Sequence, residues 1–364
     1  MISIIQVDRQ FKSLKKEILA AVENVIDSGQ YILGVEGKQF EKEVCQYLNI
    51  AHAINVGNGT DALVLALRAL DVGVGDEVMT TPFTFFATAE AISRVGATPV
   101  FVDIDPKTYN IDPTLIEDKV TARTKAIIPV HLFGQACEMD KIKQVATKHH
   151  LYIIEDACQA FGVELNGEKV GTIGDIGCYS FFPTKNLSSI GDGGLIVTKD
   201  EKIANRVKKL RHHGSEKKYY HDEIGYNSRL DEIHAAILRI CLTKIDEWNG
   251  LRVEKAKKYS VVEHFNGFSI PTSKGSKTHG YHLYCIEHPK RNEVIHYMES
   301  KGIGSGIYYP LPLHLQKVYQ KLGYQVGDLP IAEEKAKRLL ALPMHPYLTI
   351  AEQEAVIEIL RAYQ

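Results

Sequence analysis

The chain has 364 residues, with 43 Lys and Arg against 45 Asp and Glu, a formal net charge of −2. That balance argues against a generally basic nucleic-acid binder. With 45% hydrophobic and 24% charged residues, the composition is that of a soluble globular protein able to bury its core without disulfides. Length divided by about 150 suggests two domains. The opening segment meets charge at Asp8 and Arg9, which does not fit a signal peptide, and no apolar run is long enough to span a membrane. The six cysteines (Cys45, Cys137, Cys158, Cys178, Cys241 and Cys285) contain no CxxC pair. They read as buried free thiols in a reducing compartment, so a cytoplasmic protein is expected.

Residues 53–245 read as alternating strands and helices. Strand-like apolar runs recur at 78–83, 98–104, 125–133, 151–157, 176–182 and 193–198. Helix-period segments lie between several of them. DALVLALRAL (61–70) places Leu63, Ala66, Leu67 and Leu70 on one face, and 113–120 and 139–150 are further candidates. This order predicts an α/β fold with a mainly parallel sheet covered on both faces, whose buried strands are continuously apolar. The pattern then changes. Residues 231–265 form one long helical stretch, 266–280 a Gly/Ser/Thr-rich connection, and YHLYCIEH a strand. Three further helices are expected in RNEVIHYMESKG, ending at Gly302, in AEEKAKRLLAL and in the last sixteen residues. The expected division is a large domain over 1–249 and a smaller α+β domain over 250–364.

Three segments carry candidate chemistry at strand ends, where open α/β sheets bind ligands. Val56-Gly57-Asn58-Gly59-Thr60-Asp61 runs into a helix. It reads either as a phosphate cup or as a turn capped by Thr60 or Asp61. Ile153-Ile154-Glu155-Asp156 is an apolar strand ending in carboxylates. Asp156 reads either as the partner of a cation or protonated ring nitrogen, or as the N-cap of a following helix. Lys185, in Ser180-Phe181-Phe182-Pro183-Thr184-Lys185-Asn186, lies just past a buried strand and before the Gly-rich turn 191–194. Taken alone it is a solvated loop lysine, but burial would suit it to Schiff-base chemistry. The combination is what pyridoxal phosphate requires: a phosphate anchor, an acid for its ring nitrogen and an amine for its aldehyde. Nothing has metal-ligand spacing.

With these motifs in order, the chain resembles the DegT/StrS group of nucleotide-sugar aminotransferases. The likeness runs from SGQYILG (28–34) through GNGTDAL, TPFTFFATAEA, PVFVDID, EDACQA, CYSFFPTKNLSSIGDGG and GYNSRLDEIHAAIL to YYPLPLH (308–314) and LALPMHPYLT (340–349). It implies the aspartate aminotransferase-like (fold type I) architecture of PLP-dependent transferases, pyridoxal 5'-phosphate as cofactor, and a homodimer with shared active sites. By the same resemblance, Lys185 is the cofactor-bearing and catalytic lysine and Asp156 the partner of the ring nitrogen. Gly59, Thr60 and Ser180 are phosphate ligands with Asp61 beside them. Phe85 stacks on the ring, and Gln159 lies near its face or phenolic oxygen. Asn227 reaches the phosphate across the dimer interface. His234 stands where glutamine is usual.

The same motifs resemble the branch that aminates 3-keto sugars. The expected reaction moves an amino group from L-glutamate to a dTDP-3-keto-6-deoxyhexose, giving a dTDP-3-amino-3,6-dideoxyhexose. A UDP-3-keto or a 4-keto sugar is the alternative. Tyr31, Tyr219, Tyr309, His314 and Lys217, with Lys218 and Tyr220, are candidate substrate contacts, and His212 and His213 are expected to be structural. A dehydratase of this fold would carry histidine in place of Lys185. A non-catalytic regulator would have lost Lys185 or Asp156, and both are present.

Overall fold

The computed structural model describes residues 1–272 and 278–363. Its strands in chain order are β1 (His52–Val56), β2 (Glu77–Thr80), β3 (Thr98–Phe101), β4 (Thr124–Ile128), β5 (Tyr152–Asp156), β6 (Glu164–Leu165), β7 (Glu168–Lys169), β8 (Ile176–Ser180), β9 (Gly194–Thr198), β10 (Tyr284–Glu287) and β11 (Leu339–Leu342). Seven of them build the central sheet in the order β1-β9-β8-β5-β4-β2-β3. It is mostly parallel, as the alternating pattern predicts; β9 alone runs antiparallel to its two neighbours. The link from β8 to β9 contains no helix, so the chain turns back beside β8 instead of crossing over.

Successive strand residues point to opposite faces. Met79, Ile127, Ile153, Tyr179, Leu195 and Val197 enter one hydrophobic core, while Val78, Ala126, Ile128, Ile154, Ile176 and Ile196 enter another. Both faces are therefore dry, which explains the uninterrupted apolar runs. Helix Gly59–Ala69 buries Ala62, Leu63, Val64, Leu65, Ala66 and Leu67 together. Its sequence suggests one apolar face, but the helix is enclosed nearly all round, because the sheet and helices Ala87–Arg94 and Glu201–Leu210 all pack against it.

Several expectations change in three dimensions. Segment 113–120 forms two short 3-10 turns, Pro113–Leu115 and Glu117–Lys119, not an α-helix. So short a segment nucleates poorly, and Asp112 diverts the Thr114 N–H at 2.9 Å. The 231–265 stretch is two helices, Glu232–Leu242 and Ile245–Tyr259, followed by a 3-10 turn. Thr243 Oγ1 donates to the Ile240 carbonyl at 2.7 Å where the first helix ends. Leu339–Leu342, expected to be helical, is instead β11. It pairs antiparallel with β10 and is wholly buried, a gain that outweighs the helix propensity of leucine and alanine. The helix Arg291–Ser300 does close at Gly302, which adopts a φ of 76°. The middle of the 266–280 connection lies outside the described residues.

Around the 249/250 boundary, one helix serves two cores. Ile245 and Trp248 of Ile245–Tyr259 join the sheet core, while Ala256 and Tyr259 pack with Tyr284, Leu340 and Val356. The first residues of the chain also join the C-terminal part: Ile2 N–H donates to Gly302 O at 2.9 Å, and Ile4 O accepts from Met344 N–H at 3.0 Å. Among the described residues no helix is long and apolar enough to cross a membrane.

Candidate active site

The carboxyl ends of β1, β5 and β8 share one edge of the sheet, and the chain segments leaving them meet there. They enclose a cavity of about 630 Å³. Beyond β1, Asn58 caps the helix by accepting from Asp61 N–H at 2.8 Å, so the helix begins at Gly59 and neither Thr60 nor Asp61 is the cap. The first-turn N–H groups of Gly59 and Thr60 have no acceptor within the helix, and both residues line the cavity. This end of the helix carries partial positive charge and suits a phosphate. A Cβ at Gly59 would sit 2.7 Å from Ser180 Cβ and 3.0 Å from Cys158 Sγ, so only glycine lets the turn press against the end of β8. The Ser180 side chain lines the same pocket.

Asp156 ends β5 and is buried. Its Oδ2 accepts from Thr88 Oγ1 at 2.8 Å and its Oδ1 from Cys158 N–H at 3.2 Å. A turn follows rather than a helix, which removes the N-cap reading. Beneath it, Glu155 is fully buried against His131 and accepts backbone N–H groups from Gly171, Ile173 and Gly174. This anchors the strand whose next residue faces the cavity.

Lys185 sits in the link between β8 and β9, and that link is pinned along its length. Lys185 N–H donates to Phe182 O at 2.8 Å, and Asn186 Nδ2 donates to Asn249 Oδ1 at 2.8 Å and to Gly280 O at 2.9 Å. Leu187 is fully buried. The Lys185 side chain therefore leaves a fixed backbone and enters the cavity. Burial lowers its pKa, an effect only partly opposed by Cys158 and Asp156. No salt bridge ties up its amine among the described residues. An amine with a depressed pKa and no fixed partner is available as a nucleophile.

Phe85 borders the cavity while 58% exposed, its ring 6.4 Å from that of Tyr309. Gln159 is buried; it accepts from Phe133 N–H at 2.7 Å and donates to the Tyr309 hydroxyl at 3.2 Å. The structure thus gathers Gly59, Thr60, Phe85, Asp156, Gln159, Ser180, Lys185 and Tyr309 around one space. An anion-seeking helix end, a buried carboxylate and a free amine fit the phosphate, ring nitrogen and aldehyde of pyridoxal phosphate.

Other predicted residues lie elsewhere in the single chain. The Asp61 carboxylate lies by Gly57, off the cavity wall. His314 is buried, 3.1 Å from Glu333, and does not face the cavity. The Tyr31 hydroxyl donates to Ile26 O at 3.3 Å on the surface. Lys217 and Lys218 lie over the rings of Tyr220 and Tyr219, at 4.8 and 5.0 Å, in an exposed loop. Asn227 is exposed and accepts from Arg229. Residues not anticipated include Thr88, Asp192, His282 and Tyr308, all on the cavity wall. Thr88 stands 68 residues from the carboxylate it contacts, a pairing that no local pattern signals.

The profile of the DegT/DnrJ/EryC1/StrS aminotransferase family matches residues 12–361. A pleiotropic regulatory protein of Geobacillus stearothermophilus is 48% identical, over 98% of this chain and 97% of its own. A UDP-N-acetyl-3-dehydro-alpha-D-glucosamine 3-aminotransferase of Acidithiobacillus ferrooxidans is 43% identical, over 99% and 97%. A dTDP-3-amino-3,6-dideoxy-alpha-D-galactopyranose transaminase of Aneurinibacillus thermoaerophilus is 42% identical, over 96% of each. Among solved structures, S. venezuelae DesV in complex with a ketimine intermediate superposes with a TM-score of 0.97 at 38% identity, covering 100% of this chain and 98% of that one.

Proposed function

The chain belongs to the DegT/DnrJ/EryC1/StrS aminotransferase family, and on that premise we propose that it carries an amino group from L-glutamate to the 3-keto position of a dTDP-6-deoxyhexose. The product is a dTDP-3-amino-3,6-dideoxyhexose. The observation that carries the reading is the convergence of Lys185, Asp156 and the free first turn at Gly59 and Thr60 on one cavity. Pyridoxal phosphate, when bound, supplies an electron sink and carries the amino group between the two half-reactions.

Each protein group then has one task. The N–H groups of Gly59 and Thr60, with the Ser180 hydroxyl, would hold the phosphate, and Phe85 would cover the ring. Gln159 orients the phenolic side. The Asp156 carboxylate, fixed by Thr88 and Cys158, holds a proton on the ring nitrogen. Lys185 Nζ is the amine that would hold the aldehyde and, when free, would take the proton from the carbon that bears the donor's amino group and deliver it to the former aldehyde carbon, the reverse transfer serving the keto sugar. Its low proton affinity and closeness make that transfer effectively intramolecular.

Two relatives whose names specify amination at the 3-position support the 3-keto assignment. They divide over the nucleotide, so a UDP-3-keto sugar is the second reading. Turnover with L-glutamate over a panel of dTDP- and UDP-linked 3-keto and 4-keto sugars tests both. Highest kcat/KM is expected for a dTDP-3-keto-6-deoxyhexose, by roughly 10-fold or more over a 4-keto isomer. Preference for a UDP sugar would move the assignment to the second reading. A bound cofactor with no turnover on any sugar would favour a regulatory role like that named for the Geobacillus relative.

The working unit in this proposal is a homodimer. Phe85 and Phe182 are exposed by the cavity, and Tyr31, Ile32, Val35, Phe86 and Ile224 are exposed elsewhere, a surface suited to a second copy. Asn227 then serves the phosphate of the neighbouring site, and the 215–223 loop with Tyr31 is brought toward the substrate. Mixing Asn227→Ala and Lys185→Ala chains should restore activity absent from the Lys185→Ala parent and beyond that of the Asn227→Ala parent diluted alone. Additive activities in the mixture would overturn the shared site. All six cysteines are free thiols, which supports a reducing, cytoplasmic setting for the reaction.

A further inference from the structure

His282 faces the cavity that holds Lys185, although no motif in the sequence marks it. Only 5% of its surface is exposed, and its Nδ1 is buried without a hydrogen-bond partner. A buried polar atom left unpaired in this way is costly unless the site employs it. The backbone is held on both sides of His282. Gly280 N–H donates to Gly134 O at 2.8 Å and Leu283 N–H to Phe133 O at 3.4 Å. A Cβ at Gly134, whose φ is 91°, would lie 3.0 Å from the His282 backbone nitrogen.

Arg252, 2% exposed, contacts the backbone next to His282 and has no carboxylate partner among the described residues. Its Nη1 donates to the carbonyls of Tyr281 and Met344, each at 3.2 Å. It thereby fixes the backbone immediately before His282. The charged and titratable groups that line the same cavity as His282 are Lys185 and Asp192 from the β8–β9 link, and Asp156 and Cys158 at the end of β5. Tyr308 and Tyr309 line it from the C-terminal part, and Arg252 acts electrostatically on the ring from its helix. No carboxylate lies within ion-pair distance of the ring among the described residues. Burial, with Lys185 and then Arg252 adding to it, pushes the proton affinity of the His282 ring well below that of a free imidazole.

We infer that His282 is a positioning residue for Lys185: its neutral imidazole accepts a hydrogen bond from the lysine amine, directly or through one water, whenever that amine is released from its covalent link. Arg252 keeps the acceptor neutral and its backbone in place. The bond would aim the freed amine and stabilise its protonated form, tuning the pH at which it becomes a base.

This inference rests on Lys185 being the cofactor-bearing lysine. The test is single-turnover reaction of the holoenzyme with L-glutamate across pH, for wild type, His282→Leu, His282→Gln and Arg252→Met. Borohydride trapping of the cofactor on Lys185 is measured alongside. In His282→Leu the trapped link should persist while the rate falls about 10-fold, and the midpoint of its rise with pH should move down by roughly 0.5–1 unit. His282→Gln, which keeps an acceptor, should recover part of the shift. Arg252→Met, which releases the Tyr281 and Met344 carbonyls and with them the backbone before His282, should reproduce part of the His282→Leu shift. The same midpoint in His282→Leu and wild type would overturn the role, whatever the rate. Absence of a trappable link in wild type would instead overturn the reading of Lys185. Should the variants fail to fold, 15N-histidine NMR of the wild-type holoenzyme decides. The His282 ring must be neutral at neutral pH, and its nitrogen shifts must change when L-glutamate frees Lys185. A protonated or unresponsive ring overturns the proposal.

Discussion

Replacing Lys185 with alanine should abolish transamination, with a loss on the order of 10⁴-fold or more, while leaving the chain folded. Two contributions disappear together: the covalent link and the proton carrier next to the reacting carbon. The fold should tolerate the change. The lysine amine forms no salt bridge among the described residues, and its backbone is held by neighbours that remain, through the Phe182 carbonyl and the side chain of Asn186. Removing a charge from a site that lowers its proton affinity relieves a desolvation cost. Thermal melting within a few degrees of wild type, together with loss of the visible absorbance of the lysine-linked cofactor, is the expected result. Retention of that absorbance in the variant would mean that another amine carries the cofactor.

Asp156→Asn should lose on the order of 10²–10³-fold in kcat and yet keep the cofactor attached through Lys185. The carboxylate is anchored at 2.8 Å by Thr88 and at 3.2 Å by Cys158 N–H. An asparagine oxygen can still accept one of these bonds, so the substitution preserves shape and removes charge. What is lost, on the proposed role, is the anion that would hold a proton on the ring nitrogen, and with it the pull that would draw electrons from the substrate carbon. Single-turnover rates with L-glutamate, compared with the extent of trapping on Lys185, separate the two effects. Wild-type kcat with an intact link would remove Asp156 from that role.

Much of the fold was legible because it follows from local chemistry. The apolar runs at 151–157, 176–182 and 193–198 became β5, β8 and β9, since strands buried on both faces leave no position for a polar residue. Legibility failed where a distant partner decides. Leu339–Leu342 has helical composition, but β10 makes it a strand. Helix Ile245–Tyr259 reads as one unit and serves two cores, because residues far away along the chain pack on its two halves. The candidate site divides in the same way. Gly59, Asp156 and Lys185 stand in short motifs whose residue types already name their chemistry. Thr88, His282 and Arg252 sit in ordinary surroundings, and their meaning lies in what they face.

The near-neutral charge is consistent with this division. A net charge of −2 offers no general attraction for a phosphorylated ligand, so any anion must be held locally. The sequence alone determined that the means exist: a glycine-bearing turn before a helix, a carboxylate at a strand end and a lysine before a Gly-rich turn. Only the tertiary structure decided that they share one cavity, that His314 is buried against Glu333 away from it, and that His282 lines the same wall as the lysine. The reason is physical. Residue type and spacing set what a group can do, whereas proton affinity and reach depend on burial and neighbours, which only the folded chain brings together.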